Sequence, residues 1–121
     1  SKRETKLYGK LAERYLTERK NIRLIIQILD IRHDPTEDDL HMIEFLNTIG
    51  LPFVIAVNKC DKLSKSQAVN RARNIAGMLD IDPDTPFILT SVTAKRGMEE
   101  IWEAIDFYCF DQTDDDNNET E

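Results

Sequence analysis

Glycine and proline are scarce in this chain, four of each among 121 residues, and there are only two cysteines. The first scarcity excludes collagen-like sequence, and the second excludes a disulfide scaffold. No apolar run approaches the roughly 20 residues that a membrane span needs, and the opening residues do not read as a secretory h-region. Histidine occurs twice, at His33 and His41, with no cysteine or second histidine at ligand spacing, which argues against a metal site. Cys60 and Cys109 read as reduced thiols of a cytoplasmic protein. What is present is 40% apolar and 32% charged, the profile of a soluble globular domain, and the length allows one. The first residue is Ser rather than Met, which reads as a segment of something longer.

The formal net charge of −7 is unevenly placed. Residues 111–121 hold Asp111, Asp114, Asp115, Asp116, Glu119 and Glu121 and no base, so this stretch reads as an acidic, disordered tail on a domain spanning residues 1–110. The first 32 residues lean the other way, with Lys2, Arg3, Lys6, Lys10, Arg14, Arg19, Lys20, Arg23 and Arg32. A basic helix there is either a solvated face or a contact for RNA phosphates.

Hydrophobic spacing orders the elements. Leu7, Tyr8, Leu11, Ala12, Tyr15 and Leu16 fall on one helical stripe, predicting a helix over residues 4–20. Leu24–Asp30 is a short apolar run rich in β-branched residues, as in a strand covered on both faces. Asp34-Pro35-Thr36-Glu37 reads as a helix start capped by Asp34, with Leu40, Ile43, Leu46 and Ile49 inward and Gly50 as its end. Strands follow at 53–58 and 86–91, separated by a helix from about Ser66 to Leu79. A last helix follows Gly97, and its Met98, Trp102 and Ile105 read as core. The order α-β-α-β-α-β-α predicts an α/β fold: a three-layer open sheet of parallel strands joined by right-handed crossovers.

In such a sheet ligands bind beyond the carboxyl ends of the strands. The polar residues there are Asp30, then Asn58-Lys59-Cys60-Asp61, then Thr90-Ser91-Val92-Thr93. Asn, Asp, Ser and Thr also cap helices and satisfy loops, and Asp30 suits either role. The Asn-Lys-x-Asp cluster is more specific, because it directly follows a buried strand and a Ser-bearing loop ends the next one. Guanine presents two N–H donors side by side, and an ionised carboxylate accepts both, as it does from an arginine fork. Adenine places a ring acceptor where guanine has its ring N–H, leaving the carboxylate facing a lone pair. A lysine stem can cover the base while its ammonium stays wet.

From about Glu4 to Phe110 the chain resembles the C-terminal portion of the EngB family, also called YihA or YsxC, bacterial GTPases implicated in ribosome assembly. The match is carried by Tyr8-Gly9 through Tyr15-Leu16, by Asp30-Ile31-Arg32-His33-Asp34-Pro35-Thr36, and by Asp39 with Met42 to Leu46. Further along it is carried by Asn58-Lys59-Cys60-Asp61-Lys62-Leu63, by Thr90-Ser91-Val92, and by Lys95-Arg96-Gly97 with Trp102. The resemblance implies part of a P-loop GTPase (G) domain that binds GTP or GDP. In it Asp61 reads guanine, Lys59 packs on the base, Asn58 supports the loop, and Cys60, Thr90, Ser91 and Val92 complete the nucleotide-binding set. It also implies a parent protein that hydrolyses GTP with Mg2+ and acts with ribosomal RNA or the large ribosomal subunit, in a family linked to cell division. Tyr8 stands where the family often has Trp, and Val92 where it often has a second Ser.

No Gly-x-x-x-x-Gly-Lys-Ser/Thr occurs, since the glycines are Gly9, Gly50, Gly77 and Gly97. The phosphate cradle and the magnesium-holding hydroxyl are therefore missing. The chain alone is expected to bind guanine nucleotide weakly if at all, and not to hydrolyse GTP. Without a neighbouring strand, Leu24–Asp30 becomes an apolar edge, which predicts pairing with a second copy or aggregation. A non-catalytic RNA- or protein-binding module on the same fold is the alternative. A receiver-type signalling domain is disfavoured by three strands and a lone Asp30.

Overall fold

The computed structural model describes residues 2–111. The acidic tail expected at 111–121 lies, but for Asp111, outside the described residues. The elements are α1 (Lys2–Glu18), β1 (Ile25–Asp30), α2 (Glu37–Ile49), β2 (Phe53–Asn58), a 3₁₀ turn (Cys60–Lys62), α3 (Lys65–Met78), β3 (Phe87–Leu89) and α4 (Met98–Asp106). A π-helical turn at Phe107–Asp111 closes the described chain. The three strands form one parallel sheet in the order β1-β2-β3, with Ile25 opposite Phe53, Asp30 opposite Asn58, and Val57 opposite Leu89.

Alternation along the strands divides the sheet into two unequal faces. On one, Leu29, Phe53, Ile55 and Val57 pack against Ile43 and Leu46 of α2, Ala68 and Ile75 of α3 and Leu79 just past its end, with Leu16 of α1 at the margin. This is the core. On the other face α4 covers only a strip, leaving an apolar trough of about 200 Å³ among Ile26, Ile28, Ala56, Met98 and Ile101. Two expectations change for that reason. The β1 run is not covered on both faces, because Ile28 is 64% exposed. Trp102 is not core but 63% exposed, because nothing among the described residues stands opposite that part of α4.

Helix α2 is capped differently from the expectation. Thr36, not Asp34, is the N-cap: its hydroxyl accepts from Asp39 N–H at 3.1 Å, and the Asp39 carboxylate accepts from Thr36 N–H at 2.9 Å. Asp34 is engaged elsewhere, taking the Arg71 guanidinium of α3 at 2.7 Å. Ser64 and Gln67 build an equivalent capping box for α3. Gly50 ends α2 at φ 74°, a left-handed position that suits glycine. No helix among the described residues is long and apolar enough to cross a membrane.

Candidate nucleotide-binding site

Parallel pairing brings the carboxyl ends of all three strands to one rim. There Arg32, Asn58, Lys59, Asp61, Lys62, Val92 and Thr93 line an open cavity of about 380 Å³. The rim is fastened from below. Thr90 N–H donates to Val57 O at 2.8 Å, and Cys60 N–H to Thr90 O at 3.1 Å, tying the two loops together. Lys59 turns the chain off β2 in the left-handed region, at φ 66° and ψ 32°, a sparsely populated conformation for a lysine.

Asp61 stands at the surface of this rim, and its Oδ1 accepts from the Ser91 hydroxyl at 2.7 Å. Ser91 is fully buried, its oxygen also accepts from Ala94 N–H, and Thr93 Oγ1 lies 3.3 Å away. The Ser91 hydroxyl holds the Asp61 carboxyl below its ordinary pKa, so Asp61 is an oriented anion. A carboxylate has about four lone-pair sites, and Ser91 takes one, which leaves Asp61 room for a two-donor partner. Asn58 Oδ1 accepts from Thr90 Oγ1 at 3.1 Å, which makes the Asn58 amide NH2 the group available to a ligand.

Not every expected side chain reaches the cavity. Cys60 turns inward, 1% exposed, with its thiol donating to Val57 O at 3.1 Å, and burial pushes its pKa up. It contributes backbone alone. Thr90 is buried and acts through Asn58. The Ser91 N–H donates to Arg96 O at 3.0 Å and is not free for a base. Val92, 71% exposed, does line the cavity. Arg32 and Lys62 are walls for which the sequence offered no role; each sits within a run that resembles the family, one residue beyond a buried or functional position.

Asp30 lies behind that wall. Arg32 engages both its oxygens, Nε to Oδ1 at 3.1 Å and Nη2 to Oδ2 at 2.8 Å, and adds its backbone N–H at 2.9 Å. Lys59 Nζ lies 3.2 Å from Oδ2. The Arg32 fork foremost, then Lys59, holds the Asp30 carboxyl far below the usual carboxylate range, against the opposing effect of burial. A carboxylate depressed on folding contributes stability that is full above its unfolded pKa, near pH 4, and is lost as pH falls below that. The stability gap between wild type and Asp30→Asn should therefore narrow between pH 5 and pH 3. Urea midpoints at the two pH values measure it, and a constant gap contradicts the account.

Among the described residues no three His, Cys, Asp or Glu side chains converge as a metal site. Asp30 is taken up by Arg32 and Lys59, and Asp61 is a lone carboxylate at the rim, so the described residues do not fit a bound Mg2+.

No protein-family model matches the chain. It is 40% identical over 105 residues to "Probable GTP-binding protein EngB" of Streptococcus pneumoniae (strain Hungary19A-6), a match covering 87% of this chain and 54% of that protein. It is 41% identical over 105 residues, with the same coverage, to the protein of that name from Listeria monocytogenes serotype 4a (strain HCC23). The chain spans about half the length of the curated relatives it matches. A crystal structure of a probable GTP-binding protein engB superposes with a TM-score of 0.68 at 20% identity, covering 86% of this chain and 63% of that one. Apo translation elongation factor SelB from Methanococcus maripaludis gives 0.62 at 15% identity, covering 70% of this chain and 19% of that one. The structural likeness is one of fold: the chain has part of the α/β architecture of GTPase G domains.

Proposed function

Since the chain belongs to the EngB family of GTP-binding proteins and spans about half their length, we propose that its rim cavity is the guanine-reading part of a GTP-binding site. The observation that carries this is the Asp61 carboxylate, ionised, exposed at the mouth of a cavity and oriented by the buried Ser91 hydroxyl. Guanine's ring N–H and exocyclic amine are the two-donor partner such a carboxylate accepts. The Asn58 NH2 is a donor for a purine ring acceptor. The Lys59 stem supplies apolar cover, and Val92 forms the opposite wall. With the Ser91 N–H already committed, later N–H groups of its loop would meet the guanine carbonyl.

The sequence holds no glycine-rich phosphate loop, and no magnesium-ligand set converges among the described residues, so GTP hydrolysis is not assigned to the chain alone. In a protein of the relatives' full length those parts would have to come from outside the matched region, and the resemblance to EngB extends the proposal to GTP turnover in ribosome assembly. The open β1 edge is the surface that pairing with a second copy would cover.

The test is a titration of the 15N-labelled chain with GDP and, separately, ADP, both to millimolar concentration. Amide signals of Asn58, Lys59, Asp61 and Val92 should move with GDP and stay in place with ADP. Equal movement with both nucleotides, or none with GDP, would remove the guanine reading. In the latter case the binding-module alternative gains.

A further inference from the structure

Asp30 is not a wall of the rim cavity, yet two of the cavity's walls end on it. Its carboxylate takes the Arg32 fork on both oxygens and the Lys59 ammonium on Oδ2 at 3.2 Å. We infer that Asp30 is a positioning residue of the base site, anchoring the Lys59 ammonium so that the lysine stem already lies along the cavity before a ligand arrives. The inference rests on the guanine reading above.

The placement follows from the sheet. Asp30 and Asn58 are register partners across the parallel β1–β2 pair, so Asp30 stands beside the residue that precedes Lys59. The left-handed backbone at Lys59 breaks the strand's alternation, and the side chain reaches the neighbouring strand's end. A free lysine must give up the freedom of four side-chain bonds to cover a base. One whose ammonium is already held loses less on binding, and the difference appears as affinity.

The anchor is itself anchored. Arg71 of α3 donates from Nε to Ile31 O at 3.0 Å and from Nη2 to Asp34 at 2.7 Å, fixing the loop that carries Arg32. Ile31 is fully buried, and its N–H donates to Asn58 O at 3.0 Å. Were Asp30 only a loop brace, the Arg32 fork and its backbone bond would suffice. The Lys59 contact is the feature that ties Asp30 to the cavity. The groups facing Asp30 are the two cations, while the anion Asp61 is held separately by Ser91.

The test is a double-mutant cycle on the 121-residue chain: wild type, Asp30→Asn, Lys59→Met and the double variant, titrated with GDP by amide shifts. Asp30→Asn should weaken GDP binding roughly threefold to tenfold, the range that releasing one ordered side chain commands. The double variant should bind no more weakly than Lys59→Met, because the effect of Asp30 passes through Lys59. Without nucleotide, the Lys59 ε-methylene signals should shift in Asp30→Asn, a response that a brace acting elsewhere would not give. Losses that add in the double variant, or an Asp30→Asn chain that binds GDP like wild type, overturn the inference and leave the guanine reading standing. A wild-type chain that ignores GDP removes both. Should Asp30→Asn fail to fold, the unaltered chain decides: without nucleotide the Lys59 ε-carbon must be ordered by 13C relaxation, as an ammonium 3.2 Å from Asp30 Oδ2 requires, and a Lys59 side chain as mobile as that of the exposed Lys65 overturns the inference.

Discussion

Gly97→Ala is expected to lower the stability of the chain by about 2–5 kcal/mol, the cost of a left-handed L-residue combined with overpacking against backbone. Gly97 caps α4 at φ 83°, and a Cβ built on it would overlap Leu89 O and lie 2.9 Å from Thr90 Cγ2. Leu89 is the last residue of β3 and Thr90 ties to Asn58, so neither can retreat without disturbing the rim. The displacement falls on the loop from Ser91 to Arg96, whose two ends are joined by reciprocal N–H donation at 3.0 and 2.9 Å. The same substitution at Gly77, within α3 and with nothing within 4 Å of a built Cβ, should instead be neutral or stabilising by up to about 1 kcal/mol. Urea midpoints of the two variants read the contrast directly. A Gly97→Ala chain as stable as wild type would show that the β3–α4 junction is looser than this geometry requires.

That junction was partly legible from sequence. A glycine followed by an amphipathic stretch announced a helix start, but the close approach to Leu89 depends on the path of the loop between. Strand β2 was the clearest element, since Phe53-Val54-Ile55-Ala56-Val57 is apolar without interruption and all five residues are buried. The same pattern misled at β1. An apolar run reports that residues can be buried, not that a partner layer is present, and Ile28 faces a trough that α4 only borders. Trp102 failed for the same reason. At α2 the Pro35 signal drew the cap to Asp34, whereas the extended backbone of Thr36 made it the cap and left Asp34 to Arg71.

The candidate site divides similarly. Asp61, Ser91 and Asn58 come together because parallel topology alone places the ends of β2 and β3 side by side. The inward turn of Cys60 and the reach of Arg32 and Lys59 to one carboxylate depend on local backbone geometry, above all the left-handed Lys59, which no spacing rule announces.

The sharpest consequence for ligand choice concerns Asp61. Asp61→Asn should weaken GDP binding about 10- to 100-fold, equivalent to roughly 1.4–2.8 kcal/mol, the range for losing a charged acceptor and leaving a donor unmatched. The amide oxygen that remains can accept from guanine's ring N–H, but the NH2 beside it faces the exocyclic amine, donor against donor. Xanthine carries a carbonyl oxygen where guanine carries that amine. For xanthosine diphosphate the same NH2 meets an acceptor, and the ring N–H still meets the amide oxygen. The Asp61→Asn chain should therefore prefer xanthosine over guanosine diphosphate, reversing the wild-type order. Ser91 can keep its hydrogen bond to the side chain at this position, since an amide oxygen accepts as a carboxylate oxygen does, so the fold and the urea midpoint should change little. Side-by-side titrations of both chains with both nucleotides read the exchange. Loss of binding to both nucleotides with an unchanged fold would mean that Asp61 acts as a charge and not as a reader of hydrogen-bond pattern. An undiminished response to GDP would mean that the base is read elsewhere on the rim.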